Sequence, residues 1–405
     1  MIRMENGNTF DDGLRGMDIA AVMFGFTFFS GSMLVGRQIA ASMPIKDMLR
    51  CFFFGGLFLG TFGASLAYFS CKRKRDMMQM VDDAFGNVGR NAIVFLISIT
   101  QIGWFGVGAS MLSTPLTDTL FDGNKYIKLT ITCLFGLAML VSAAGGVKTI
   151  IRLSYLAVPI IFLLGCFGVL FAFNNIDYSS ISFSASSRQI SLPVGISLVI
   201  GTYISGAITT PNFTWNGKSP QNVLWISFLA YFLGNGIMLL FGAASFYLVC
   251  GDDIFDLFRY FGLEGVGFLT LGLNIWSSCD NGLYSAGLGL KEVTHIDRKK
   301  ATIIAGVVGI VLSPFLYNYL IEFLTLLNKL ISPIGAVLIV KEYTHKQCAV
   351  ACAREKKAAL FSMAMGGVAA IVTPPLIPAI NGALVSTITY MLLLFAEKIR
   401  TKRKH

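Results

Sequence analysis

Residues 24–33 read FGFTFFSGSM, and residues 199–211 read VIGTYISGAITTP. Each stretch places an aromatic residue, one further residue, then Ser-Gly and a small residue: FFSGS at 28–32 and YISGA at 203–207. Both lie inside long apolar runs, where polar and helix-breaking residues are costly unless they line a cavity or meet other protein groups. Glycine and serine in such runs can serve only to let helices approach closely. Two matched interruptions, in the first spans of two consecutive five-span halves, point instead to an inverted-repeat transporter with discontinuous helices. Unwound carbonyls and half-helix ends at such a break can hold an ion and a polar solute.

The rest of the chain supports a membrane setting. Hydrophobic residues make up 55% of the 405 and charged residues 13%, about half the charged share of a soluble domain. A span needs about 20 mostly apolar residues. Twelve runs qualify, at roughly 17–41, 50–70, 91–116, 127–147, 150–173, 191–212, 222–250, 262–288, 300–318, 319–341, 358–374 and 376–396. The expected fold is therefore an all-α membrane protein with twelve transmembrane helices. One transmembrane domain fills residues 1–405. Repeat one covers about 17–173 and repeat two about 191–341, spans 1 and 6 are discontinuous, and two extra C-terminal spans occupy about 358–396.

Basic residues orient it. With the N-terminus in the cytoplasm, 24 of the 32 lysines and arginines fall on the cytoplasmic side and 7 outside, with Lys329 left mid-span. That asymmetry predicts cytoplasmic termini in a multi-pass cell membrane protein. The net charge of +10 is then explained by topology and by anionic lipid, with no nucleic-acid partner. The first apolar run is too long for a cleavable signal peptide.

Enzyme chemistry finds little support. His295, His345 and His405 all fall in cytoplasmic segments, so no histidine-activated nucleophile forms at membrane depth. No phosphate-binding GxxxxGK[ST] motif is present. GWFGVG (103–108) looks like a glycine-rich nucleotide loop but lies mid-span with no strand before it. The cysteines, including Cys348 and Cys352 on a cytoplasmic loop, form no disulfide framework or zinc pattern. Asn212-Phe-Thr is a formal glycosylation sequon at an expected cytoplasmic span end and is set aside.

NIWSSCDN (274–281) interrupts span 8 with two asparagines, two serines, a cysteine and an aspartate. Asn274, Ser277 and Ser278 are spaced i, i+3, i+4 and share one helix face. Their hard oxygens suit Na⁺ better than a soft metal. Serines in a span also commonly bond back to their own helix. In span 3, Gln101 lies one turn before Trp104, so both can face one cavity. Lys329 is an ionisable residue near the middle of its span and hence a functional candidate. Glu322 and Asp280 are its candidate ion-pair partners.

TQIGWFGVG (100–108), GTYISGA (201–207) and LGLNIWSSCDNGLYSAGLG (271–289) together resemble the bacterial cytosine permeases of the nucleobase–cation symporter family, within the five-plus-five inverted-repeat superfamily. The resemblance runs from span 1 through FLYNYL and SPIGAVLIVKEY in spans 9 and 10. It implies a secondary importer of a small planar nitrogen heterocycle, most simply cytosine or a related pyrimidine, coupled to Na⁺ by alternating access. It further implies a sodium site from the carbonyls of Gly25 and Phe28 with Asn274, Ser277 and Ser278. Trp104 and Tyr203 would stack on the ring. Gln101, Thr202 and Ser205 would read its edge, with Cys279 and Asn328 beside it.

The chain departs from that pattern at three places. SSCD (277–280) stands where the family reads TTND, Tyr203 replaces a phenylalanine, and Asn328-Lys329 replaces small residues. Purines, hydantoin-type rings and the hydroxymethylpyrimidine precursor of thiamine remain alternative solutes, as do proton coupling and an amino-acid symporter of the same superfamily. No organic cofactor and no obligate protein partner is implied.

Overall fold

A computed structural model describes residues 13–176, 190–344, 353–372 and 377–402. The expected loop carrying His345, Cys348 and Cys352, the proline-rich turn at 373–376, and His405 lie outside them.

The described residues form helices throughout. They are α1 (Gly16–Thr27), α2 (Ser30–Ser42), α3 (Ile45–Arg73), α4 (Met77–Leu120), α5 (Lys125–Ala144), α6 (Val147–Asn175), α7 (Leu192–Thr209) and α8 (Pro211–Thr214). Then come α9 (Pro220–Leu229), a π-helical turn over Ala230–Gly234, α10 (Asn235–Val249), α11 (Ile254–Tyr260), α12 (Glu264–Thr294), α13 (Arg298–Asn318), α14 (Leu320–Thr344), α15 (Ala353–Val372) and α16 (Pro378–Lys402). Short polar residues open several of them. Asp76 caps α4 and closes a reciprocal box with Gln79, and Asn124 accepts the Tyr126 and Ile127 amides of α5. Gly86, at φ +66°, separates a short first segment of α4 from the span that begins at Gly89.

Nine helical stretches among the described residues are long and apolar enough to cross a membrane, and α1 with α2 makes a tenth, bent by 49°. The two remaining expected spans correspond to α12 and α15. Helix α12 has the length, but the NIWSSCDN stretch lowers its apolarity, and α15 starts on the charged sequence AREKK.

The bend in span 1 falls where the sequence places it. Phe28 and Phe29 are extended, at φ −82°, ψ 90° and φ −141°, ψ 133°. The expected break in span 6 does not fall at YISGA. Helix α7 runs unbroken through YISGA to Thr209, and Thr210, before Pro211 opens α8, keeps helical dihedrals. Its glycines serve packing instead. A Cβ at Gly206 would stand 2.9 Å from the Phe26 ring, and one at Gly201 3.0 Å from the Leu324 side chain.

Helix α12 lies at the centre, packed on α4, α13, α1, α5 and α6, while α2 lies along α10 and α7 on α3 and α14. The α2–α10 crossing is set by glycine. A Cβ at Gly36 would meet the Leu239 carbonyl at 2.1 Å, and one at Gly242 the Met33 carbonyl at 1.9 Å. Charged residues concentrate at the helix ends. Arg73 pairs with Glu342, Lys341 with Glu355 and Arg90 with Glu292 at one end, and Arg37 with Asp252 at the other.

Candidate functional site

Where α1 stops at Phe28, its last carbonyls lose their helical donors. The Gly25, Phe26 and Phe28 carbonyls converge on a single side chain from α12: the Ser278 hydroxyl lies 3.1, 3.1 and 2.8 Å from them. Ser277 adds a second hydroxyl, 3.1 Å from the Gly25 carbonyl and 3.2 Å from that of Asn274. Each hydroxyl carries one proton, so the acceptors outnumber the donors. Gly25 is required here because a Cβ would stand 2.5 Å from the Ser154 hydroxyl.

Of the expected cation ligands, Gly25, Phe28, Ser277 and Ser278 therefore come together. Asn274 joins them through its carbonyl. Its side chain turns aside, with Oδ1 accepting from Ser30 at 2.8 Å and Nδ2 facing the Met238 sulfur at 3.5 Å. Hydroxyl and carbonyl oxygens without a carboxylate suit a monovalent ion, and no histidine, cysteine and carboxylate cluster fit for a transition metal occurs among the described residues.

Beside this cluster lies a cavity of ≈ 20 Å³ lined by Phe26, Phe29, Trp104, Thr202, Tyr203 and Cys279, with Phe105, Gly206, Ser278 and Gly282 completing it. That is room for about one or two waters, so a ring enters only if the side chains spread. The two sites share Phe26 and Ser278. Trp104 stands edge-on between Phe29 and Phe323, at 5.6 and 5.5 Å. Its indole N–H donates to the Ser205 hydroxyl at 2.9 Å, and the Gln101 amide donates to the Ser205 carbonyl at 3.0 Å. The polar groups expected to read a solute thus satisfy one another.

Thr202, Tyr203 and Cys279 line the cavity as expected. Cys279 fits because Gly108 opposite has no side chain: a Cβ there would lie 2.3 Å from the sulfur. Asn328 is not in the lining. Its Nδ2 bonds the Ser197 carbonyl at 2.7 Å and hydroxyl at 3.1 Å, so it pins α14 to α7. The expected Lys329 ion pair does not form. Lys329 is half-buried, Glu322 is exposed, and neither forms an ion pair among the described residues. The Asp280 carboxyl instead accepts from Ser142 at 2.7 Å, and Ser142 in turn accepts from the Trp276 indole at 2.8 Å. Helix α5, not α14, faces Asp280.

Sequence reasoning missed Phe26, Phe29, Phe105, Gly206 and Gly282 in the lining, and Phe323 beside Trp104. Phe29 was legible as the second aromatic of FFSGS, and Gly282 one turn after Ser278. Phe323 had no local signal. A separate cavity, ≈ 220 Å³, is lined by Leu34, Met111, Asp118, Asp253 and Tyr317, among others.

Residues 17–373 match a family described as permeases for cytosine/purines, uracil, thiamine and allantoin. The chain belongs to this permease family. It is a transporter and not an enzyme, as the sequence indicated. The chain is 31% identical over 383 residues to the cytosine permease of Escherichia coli strain K12, covering 92% of this chain and 89% of that protein. In fold it is similar to Mhp1, a nucleobase-cation-symport-1 family transporter solved in a closed conformation with bromovinylhydantoin bound. The TM-score is 0.81 at 16% identity, over 94% of this chain and 92% of that one. A Na⁺-coupled sialic acid symporter in a substrate-bound outward-open state matches with a TM-score of 0.66 at 14% identity, over 94% and 89%. The permease is thus a multi-pass membrane protein, and the proteins it resembles in fold include cation-coupled symporters.

Proposed function

We propose that this permease imports cytosine or a closely related planar nitrogen heterocycle by Na⁺ symport, with alternating access across twelve spans in two inverted five-span repeats. The observation that carries the reading is the convergence of three span-break carbonyls on Ser278 at the wall of an aromatic-lined cavity. A Na⁺ held by Gly25, Phe28, Asn274, Ser277 and Ser278 would supply the charge that those oxygens favour and the driving force for uptake. The ring would stack on Trp104, a contact worth ~1–3 kcal/mol for a nucleobase. Ring binding would displace the bonds that Trp104 and Gln101 make to Ser205 and take them over.

The separate 220 Å³ cavity, lined in part by Asp253, Asp256 and Arg259 of the α11 region, would lie on the solute's way in from that end. The opposite end gathers Leu14 against Asn216, the basic end of α3, and the ends of α14 and α16. The basic excess of that end supports cytoplasmic termini.

Uptake into proteoliposomes tests this. Labelled cytosine should accumulate when an inward Na⁺ gradient is imposed and fail to do so with choline in place of Na⁺. Uracil, purines, hydantoins, hydroxymethylpyrimidine and amino acids serve as competitors. Accumulation driven equally by a pH gradient in Na⁺-free buffer overturns the sodium assignment. Competition by an amino acid and not by any base overturns the substrate class.

A further inference from the structure

Tyr203 touches both sites at once. Its ring lines the cavity and meets the Phe26 ring edge-on at 5.6 Å. Its hydroxyl donates to the Phe26 carbonyl at 2.6 Å. That carbonyl belongs to the three that converge on Ser278. A phenylalanine would supply the same stacking surface without the hydrogen bond, so the hydroxyl does something that stacking does not require.

The chemistry of the cluster shows what. Ser278 has one proton and three carbonyl neighbours. Beside Ser277, Tyr203 brings a third donor and gives it to Phe26, which leaves Ser278 free to serve Gly25 and Phe28. When a cation draws the Ser278, Gly25 and Phe28 oxygens toward itself, the Phe26 carbonyl still has a partner. That bond holds only while the tyrosine ring keeps one orientation. The ring is held from behind by Tyr231, at 6.0 Å, and by Phe26, whose place depends on the missing side chain of Gly206. Its remaining face borders the cavity, where a bound solute would pack against it.

We infer that the Tyr203 hydroxyl is a positioning group that couples solute occupancy to the cation site through the Phe26 carbonyl. The inference rests on the sodium reading above. Solute and cation each favour the same Tyr203 orientation, so each raises the affinity for the other by the same factor.

Tyr203→Phe tests it, because the substitution keeps the ring and Ser278 can still bond Phe26, so the fold survives. Cytosine binding is measured by calorimetry on purified protein in NaCl and in choline chloride, and Na⁺ binding with and without cytosine by the melting-temperature shift. In wild type, Na⁺ should tighten cytosine binding. In the variant the readout is the ratio of the two affinities, so that any change the cavity itself suffers in choline divides out. The enhancement by Na⁺ should fall about twofold to tenfold, the worth of one hydrogen bond, and the reciprocal effect of cytosine on Na⁺ should fall equally. An unchanged enhancement overturns the coupling role, and so does an affinity loss that is the same in both salts, which would mark Tyr203 as packing alone. A wild type that binds cytosine without regard to Na⁺ overturns the sodium reading itself, and the link with it.

Discussion

Two stretches with nearly the same pattern fold differently. FFSGS at 28–32 opens the chain into two extended residues, and YISGA at 203–207 stays helical. The difference lies in what surrounds them. At the first, α12 presents Ser277 and Ser278, and α7 the Tyr203 hydroxyl, to the released carbonyls, so unwinding finds donors from other helices. At the second, the nearby hydroxyls turn back on their own helix: Thr202 bonds the Val199 carbonyl and Thr209 the Gly206 carbonyl. Among the described residues, Gln101 alone reaches that backbone from another helix, at the Ser205 carbonyl. A helix breaks in a membrane only where its freed backbone groups find other partners. The broken stretch thus turns backbone oxygens toward α12, and the unbroken one turns Thr202 and Tyr203 into the cavity.

Hydrogen exchange can break this contrast outright. Amides at 29–31, which begin α2 without helical acceptors, should exchange orders of magnitude faster than those at 204–207. Equal rates would mean that span 6 opens as span 1 does. On the cation side, Ser277→Ala with Ser278→Ala should abolish the Na⁺ dependence of cytosine binding while the protein still melts cooperatively. Retained Na⁺ dependence would remove the cation from the α1 break.

On the solute side, Trp104→Ala should weaken cytosine binding by ~1–3 kcal/mol, roughly tenfold to a hundredfold, with Trp104→Phe losing far less. If both bind like wild type, Trp104 is a packing residue. Ser205→Ala should cost about 0.5–1.5 kcal/mol, or about twofold to tenfold, by removing a hydroxyl that would bond the ring edge, and should leave the Na⁺ response intact. A lost Na⁺ response there would show that span 6 also shapes the ion site. The smallest effect concerns Cys279, whose thiol is a weak hydrogen-bonding group. Cys279→Asn should raise cytosine affinity by up to about tenfold and lower that of a methyl-bearing pyrimidine such as thymine. Unchanged preference would mean that no part of the ring faces that position.

The sequence alone determined the membrane setting, the helical class, the boundaries near Tyr319, the span 1 break and the helix face bearing Ser277 and Ser278. These follow from local properties: twenty-residue apolar runs, a 3.6-residue period and polar residues too costly to bury idly. Trp104, Tyr203 and Cys279 were legible by resemblance.

Only tertiary structure decided the rest. Whether YISGA unwinds depends on donors from other helices, which no local pattern carries. Asn328 bonds Ser197, 131 residues away, Asp280 meets Ser142, 138 residues away, and Lys329 pairs with neither Glu322 nor Asp280. A side chain on a buried helix has neighbours on several sides, and the sequence names its face without naming which helix lies against it.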